Sequence, residues 1–361
     1  MRVFMKKIFN LFFLKNSIKK NTRYLEPGTY SIDNVTNLAW RKDYNTVKFV
    51  EDNLVKNTYN LKREFCFKGI VKGILSPKKI MIKDQNQDEC FKGTVFFLSH
   101  SVNKDIKIFN VRKKEVLSIY SNADKLKKKI LDYNYFRLYF DMPCIKFFDF
   151  NRNISIEELV ISKDKKDWNQ NDYEALINGL FHSYINYYKS ILKKNDLEFD
   201  SVSSKINWLK SDSIFSNIGY MLETRISKEL MSIEIPIFYQ HGDLWLPNIL
   251  VRENKEQSIC LIDWEDSGEF FFFYDLFFLI GTESLHSNSD YLKKYLEGRY
   301  DTYMIKLFST VNMEFNQSKR KIYFLFFLAE MICEKMANKT NEEKKVQLRN
   351  YTFLLTEVDK W

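Results

Sequence analysis

The spacing of apolar positions along this 361-residue chain changes part-way down its length. From about residue 64 to 160, apolar positions fall in short runs rich in β-branched and aromatic residues. KKIMIK (78–83), FKGTVFFLS (91–99), DIKIFNV (105–111), CIKFFDFN (144–151) and ISIEELVI (154–161) each have the length and composition of a strand. Between the third and fourth, roughly residues 113–138, the pattern predicts a helix. After about residue 170 the period lengthens. In NDYEALINGLFHSYINYYKSILKK (171–194), Leu176, Leu180, Tyr184 and Tyr187/Tyr188 recur every three to four positions, the buried stripe of an amphipathic helix. Residues 204–232 predict a second helix. Two apolar stretches, IPIFYQ (235–240) and SICLIDW (258–264), read as strands, and residues 285–360 are helical again. Residues 1–60 show turn signals at Glu26-Pro27-Gly28 and read as a basic, irregular extension. The expected architecture is α+β in two lobes: a mainly β lobe over 61–160 and a mainly helical lobe over 161–361.

Composition agrees with two packed units. The chain is 45% hydrophobic, with 32 Phe and 21 Tyr, enough for sizeable cores and unlike a disordered protein. Five cysteines (Cys66, Cys90, Cys144, Cys260, Cys333) are scattered, odd in number and never in a CxxC pair, which excludes a disulfide framework or zinc-finger pattern. No apolar run approaches the roughly 18–20 residues that span a bilayer. The start of the chain lacks a small-residue cleavage site, so a cytoplasmic protein is expected.

Charge adds an asymmetry that the net +9 hides. Residues 1–130 hold 28 Lys+Arg and 12 Asp+Glu, or +16. The other 231 then hold 56 − 28 = 28 and 47 − 12 = 35, or −7. The first 25 residues carry seven basic residues and no acidic one. A front half that attracts anions and a back half that tolerates cations suit a nucleotide lobe followed by a metal-binding lobe. They suit equally a nucleic-acid-binding arm on an unrelated domain, and residues 1–25 by themselves suit either contact with an anionic membrane or a solvated tail. No nucleic-acid-binding motif accompanies the charge.

The candidate chemistry sits in HGDLWLPNIL (241–250). Asp243 follows a strand-like run, which holds a carboxylate rigidly. Five residues on, Asn248 offers an amide oxygen, a hard neutral ligand suited to Mg²⁺. Asp263 ends the next apolar run, and a turn over VRENKEQ (251–257) would return it beside Asn248. One base candidate and two oxygen ligands around one spot are what phosphoryl transfer needs.

H-G-D-x-x-x-x-N followed by IDWE (262–265) resembles the aminoglycoside phosphotransferase and choline kinase superfamily, whose fold is protein-kinase-like. The resemblance implies that Asp243 is the catalytic base, that Asn248 and Asp263 ligate Mg²⁺, that His241 buttresses the loop, and that Asp275, in Asp275-Leu276, supports it. It also implies an ATP site in the front lobe, with GTP as the other nucleotide to test. There Lys107, flanked by Ile106 and Ile108 in DIKIFNV, would bind the phosphates. Glu115 would be its partner on the following helix, with Asp124 as competitor. Gly93 would serve the phosphate-covering loop, where a three-glycine motif is missing. The backbone of Glu157 to Leu159, Glu158 and Leu159 above all, would meet adenine. HGDLW is similar to the fructosamine kinases of that superfamily.

The expected protein is thus an ATP- and Mg²⁺-dependent phosphotransferase acting on a small-molecule hydroxyl, with a sugar or cell-surface glycan unit preferred. An aminoglycoside or an amino alcohol such as choline stands as the alternative acceptor. A non-catalytic kinase-like module tethered by its basic N-terminus is the reading from another class.

Overall fold

The computed structural model describes residues 2–33, 35–55, 78–84, 91–99, 105–163, 165–193, 197–252, 259–286 and 290–361. Cys66, Cys90, His100 and the stretch 85–90 before Phe91 lie outside the described residues. The chain forms two compact units. Residues 1–135, 142–168 and 252–254 make the first, and residues 136–141, 169–251 and 255–361 the second.

Among the described residues, the first unit is built on an antiparallel sheet of eight strands: β1 (Gly28–Asp33), β2 (Leu38–Arg41), β3 (Lys78–Ile82), β4 (Val95–Leu98), β5 (Ile106–Asn110), β6 (Glu115–Ile119), β7 (Ile145–Asp149) and β8 (Ile154–Glu158). Their order is β3-β1-β2-β4-β5-β6-β8-β7. Period-two alternation gives the sheet two apolar faces. Tyr30, Ile32, Phe96, Ile108, Leu117 and Ile156 pack on one side with Leu14 and Ile18 of the N-terminal helix Arg2–Lys20. Leu38, Val95, Phe109 and Val116 pack on the other with Phe49 and Val50.

Two expectations for this unit are corrected. Residues 2–55 are not an irregular extension, because they supply a helix, two strands and the short helix Tyr44–Phe49, capped by Asp43 accepting from the Thr46 N–H at 3.0 Å. The β1–β2 turn relies on Asp33 accepting from the Val35 N–H and on Asn37 at φ 54°, signals weaker than the glycine and proline at 27–28. The helix expected over 113–138 starts only at Ala123 and ends at Phe136, and residues 115–119 are strand β6. The tight β5–β6 turn depends on Lys114 at φ 53°, a conformation for which lysine gives no warning.

The second unit is mainly helical, as expected. Helix Gln170–Leu192 opens with a capping box between Asn169 and Asp172 and buries its predicted stripe. The single helix expected over 204–232 is three: Val202–Ser211, Ser216–Arg225 and Lys228–Met231. Asp212 interrupts it by accepting from the backbone N–H groups of Ile214 and Phe215, and Ser227 caps the third. β10 (Glu234–Gln240) is the middle strand of a three-stranded sheet, between β9 (Glu198–Ser201) and β13 (Gly268–Phe271). β11 (Ile249–Val251) and β12 (Ile259–Leu261) form a separate antiparallel pair. Helices Tyr274–His286, Tyr291–Leu296, Asp301–Thr310, Arg320–Met336 and Asn341–Asp359 complete the unit. The FFFF run at 270–273 is core, with Phe272 and Phe273 packed against Phe308.

Candidate active site

β10 ends at Gln240, and the chain turns at once. Gly242 makes the turn at φ +75°, where a Cβ would lie 2.1 Å from the Asp266 carbonyl oxygen, so both backbone and space demand glycine. Asp275, in the first turn of helix Tyr274–His286, ties the turn down. Its fully buried carboxylate accepts from the N–H groups of His241 at 2.7 Å and Gly242 at 2.8 Å, and from the Tyr184 hydroxyl at 2.5 Å. Burial pushes the Asp275 carboxyl up from its ordinary range, while His241 and these donors pull it back. Burial also holds the Tyr184 phenol well above its ordinary value, so it stays a donor.

His241 is wholly buried. Its Nε2 lies 2.8 Å from the Ile262 carbonyl and its Nδ1 accepts the Asp243 N–H at 3.3 Å, a pair that the Nε2–H tautomer satisfies. Its ring lies 4.6 Å from that of Trp264. The histidine therefore links the turn to the segment that carries Asp263.

Asp243 is partly buried. The Asn248 amide nitrogen donates to its carbonyl at 2.9 Å and to Oδ2 at 3.2 Å, and Lys335 Nζ lies 3.4 Å from Oδ1. Burial raises the Asp243 carboxyl above its ordinary range, Lys335 lowers it and Asp266 raises it. With its side-chain nitrogen spent on Asp243, Asn248 keeps a side-chain amide oxygen, Oδ1, that accepts no hydrogen bond among the described residues. The loop between them is fixed by the Leu246 N–H, which donates to the buried Glu283 carboxylate at 3.0 Å.

The β11–β12 pairing matches Ile249 with Leu261, and the Ile262 N–H donates to the Asn248 carbonyl at 3.0 Å, so Asp263 follows directly beside Asn248. Asp263 sits at φ 66°, ψ 54°, a left-handed conformation that costs an L residue about 1–2 kcal/mol. Among the described residues its carboxylate has no hydrogen-bond or ion-pair partner. A strained backbone and an unpaired carboxylate point to function rather than stability. Among the described residues no three His, Cys, Asp or Glu side chains converge as a metal site. The donors on offer are one carboxylate and one amide oxygen. These fit Mg²⁺, which keeps water or phosphate oxygens in its other positions, and do not fit zinc.

In the first unit, Ile106 and Ile108 pack on one face of the sheet, and Lys107 points to the other, as alternation requires. Lys107 lies opposite Ser118, which lies opposite Ser155. The strand before helix Ala123–Phe136 is β6, however, so Lys107 is one strand further from that helix than expected. Glu115 is on β6 rather than on the helix, and its carboxylate pairs with Lys146 at 3.0 Å. The helix instead contributes Lys129, 2.9 Å from the buried Glu157 carboxylate, a pair the sequence did not suggest. Gly93 is buried. Its N–H donates to the Tyr24 carbonyl at 2.8 Å, and a Cβ there would meet the Phe109 carbonyl oxygen at 2.7 Å. It is a packing glycine whose N–H is not available to phosphate. The N–H groups of Glu158 and Leu159 donate to the Cys144 and Lys114 carbonyls, so neither is available to adenine. The Glu158 carboxylate is held by Arg252 at 2.6 Å.

A cavity of about 810 Å³ also opens in the second unit, lined by Tyr173, Asn178, Leu246, Lys294, Arg299 and Tyr303 among others. Leu246 belongs to the loop between Asp243 and Asn248.

The model of a phosphotransferase enzyme family (APH) matches residues 221–303, the segment holding Asp243, Asn248, Asp263 and Asp275. No curated protein matches the sequence. Among solved structures, a putative aminoglycoside phosphotransferase from Ralstonia eutropha is 12% identical, with a TM-score of 0.48, covering 75% of this chain and 94% of its own. A choline kinase from Streptococcus pneumoniae is 14% identical, with a TM-score of 0.42, covering 71% and 90%. An ethanolamine kinase from Plasmodium vivax is 16% identical, with a TM-score of 0.35, covering 73% and 80%.

Proposed function

We propose, from the motif and the phosphotransferase-family match over residues 221–303, that this chain is an ATP- and Mg²⁺-dependent kinase that transfers the γ-phosphoryl group to a hydroxyl of a small molecule. The observation that carries the reading is Asp263: a strained, unpaired carboxylate beside an amide oxygen, next to a third oxygen group, Asp243, tied to that amide.

Asp243 accepts the proton of the acceptor hydroxyl as its oxygen attacks the γ-phosphorus and ADP leaves. Asn248 and Asp263 would hold Mg²⁺, which when bound neutralises charge on the phosphate oxygens. The Asp275–Tyr184–His241 network holds the turn so that Asp243 needs little reorganisation. Lys107 remains the candidate phosphate lysine of the first unit, and the Lys129–Glu157 pair joins it as a second candidate.

For the acceptor we favour a polyhydroxylated, sugar-like molecule over an amino alcohol. The cavity beside Leu246 supports this, because tyrosine rings alternating with amide and charged groups suit hydroxyl-rich ligands. Contact of residues 1–25 with an anionic membrane is a further proposal, supported by the exposed Phe12 and Phe13. Among the described residues no helix is long and apolar enough to cross a membrane.

A thermal-shift titration with ATP and GTP, with and without Mg²⁺, on wild type and Asp263→Ala tests the reading. Nucleotide at about 100 times its Kd adds roughly 2.7 kcal/mol, a readable rise in Tm. A metal-dependent rise that Asp263→Ala loses is the expected result. No shift with either nucleotide would leave a binding module.

A further inference from the structure

We propose that Lys335 is the positioning residue for Asp243, reaching from the last turn of helix Arg320–Met336 to fix the carboxylate that takes the acceptor proton. The inference rests on the kinase reading above. Asp243 needs one oxygen held within hydrogen-bond reach of the incoming hydroxyl, yet its side chain has two torsions free to wander. Asn248 anchors Oδ2 at 3.2 Å, and Lys335 lies 3.4 Å from Oδ1, so both oxygens are fixed from different elements. The contact at Oδ1 is longer than the roughly 2.7–2.9 Å of a tight charge-assisted bond. It orients the carboxylate without consuming the lone pair that the hydroxyl would use.

Lys335 is itself held in place. Its Nζ lies 2.5 Å from Asp266 Oδ2 and 5.2 Å from the centre of the Phe278 ring, and only 22% of its side chain is exposed. Asp266 follows the IDWE motif, and its carbonyl lies against Gly242. Asp243, Lys335 and Asp266 thus tie the turn, the metal-ligand segment and a distant helix into one ionic chain. A merely stabilising surface pair would be complete with Asp266, whose side chain is 57% exposed.

The acceptor is unidentified, so the test uses Mg·ATP hydrolysis, with water as acceptor. Lys335→Met is expected to lower kcat about 10- to 100-fold while the KM for ATP moves less than about twofold. Lys335→Arg, which keeps the cation, is expected to recover activity to within about fivefold of wild type. Asp266→Asn, which frees only the anchor, should cost about two- to fivefold and add nothing when combined with Lys335→Met. If Lys335→Met does not fold by circular dichroism, the Arg and Asp266→Asn variants carry the test. The proposal is overturned if Lys335→Met keeps more than about half of kcat, if Lys335→Arg falls as far as Met, or if KM rises in step. A wild type that neither binds nor hydrolyses Mg·ATP overturns the kinase reading and this inference together. An active wild type with an indifferent Lys335→Met overturns this inference alone.

Discussion

Replacing Asp275 with alanine separates a structural buttress from the chemistry it supports. The carboxylate is fully buried and is the hydrogen-bond partner of three buried donors: the Tyr184 hydroxyl at 2.5 Å, the His241 N–H at 2.7 Å and the Gly242 N–H at 2.8 Å. Each buried donor left unpaired costs about 1–3 kcal/mol, or about 3–9 kcal/mol for the three. Water entering the vacated space recovers part of this, so the expected loss is about 3–5 kcal/mol. That is a large share of the roughly 5–15 kcal/mol that holds a domain folded. Urea unfolding followed by far-UV circular dichroism measures it. Tyr184→Phe alone should cost about 1 kcal/mol, because Asp275 keeps its two backbone donors. Once Tyr184 is Phe, Asp275→Ala no longer orphans the hydroxyl, so the double variant should cost about 1 kcal/mol less than the sum of the singles. Simple additivity, or an Asp275→Ala loss under about 1 kcal/mol, would refute the network as the source of the turn's rigidity.

Asp263→Gly should abolish metal-dependent turnover yet leave stability unchanged or raised by up to about 1 kcal/mol, since glycine relieves the left-handed strain; a substantial drop in Tm would contradict this. Gly93→Ala should destabilise the first unit by about 1–3 kcal/mol through its clash with Phe109, while Mg·ATP affinity of the folded fraction stays the same; a selective loss of nucleotide binding would return Gly93 to the phosphate site. Glu330 is buried, and burial lifts its carboxyl well above the ordinary 4.5, so its contribution to stability is full below about that value and lost as pH rises toward the folded one. The stability of Glu330→Gln relative to wild type should therefore grow as pH rises above about 5 in paired urea melts, and a shrinking difference would reverse the assignment.

The parts of this protein legible in its sequence are those whose physics is local. HGD-x₄-N is read directly because Gly242, Asp243 and Asn248 meet within one turn, and Asp263 joins them through a short antiparallel pairing. The helical stripe ending in Tyr187 and Tyr188, and the strand alternation around Lys107, likewise follow from period alone. Where local signals are weak, the sequence hides its elements: Lys114 and Asn37 turn the chain with φ above zero, and no glycine announces it. Strand β6 is hidden in this way, and with it the relation of Lys107 and Glu115 to the helix that follows. The partners that hold the candidate site come from far along the chain. Tyr184 is 91 residues from Asp275, Lys335 is 92 from Asp243 and Glu283 is 37 from Leu246. Such contacts depend on which faces of separate helices pack together. A lysine or tyrosine on an apolar helix looks the same in sequence whether it meets solvent, core or a catalytic carboxylate. Only the tertiary structure decides that, because burial and the loss of competing water give those few polar contacts their directing strength.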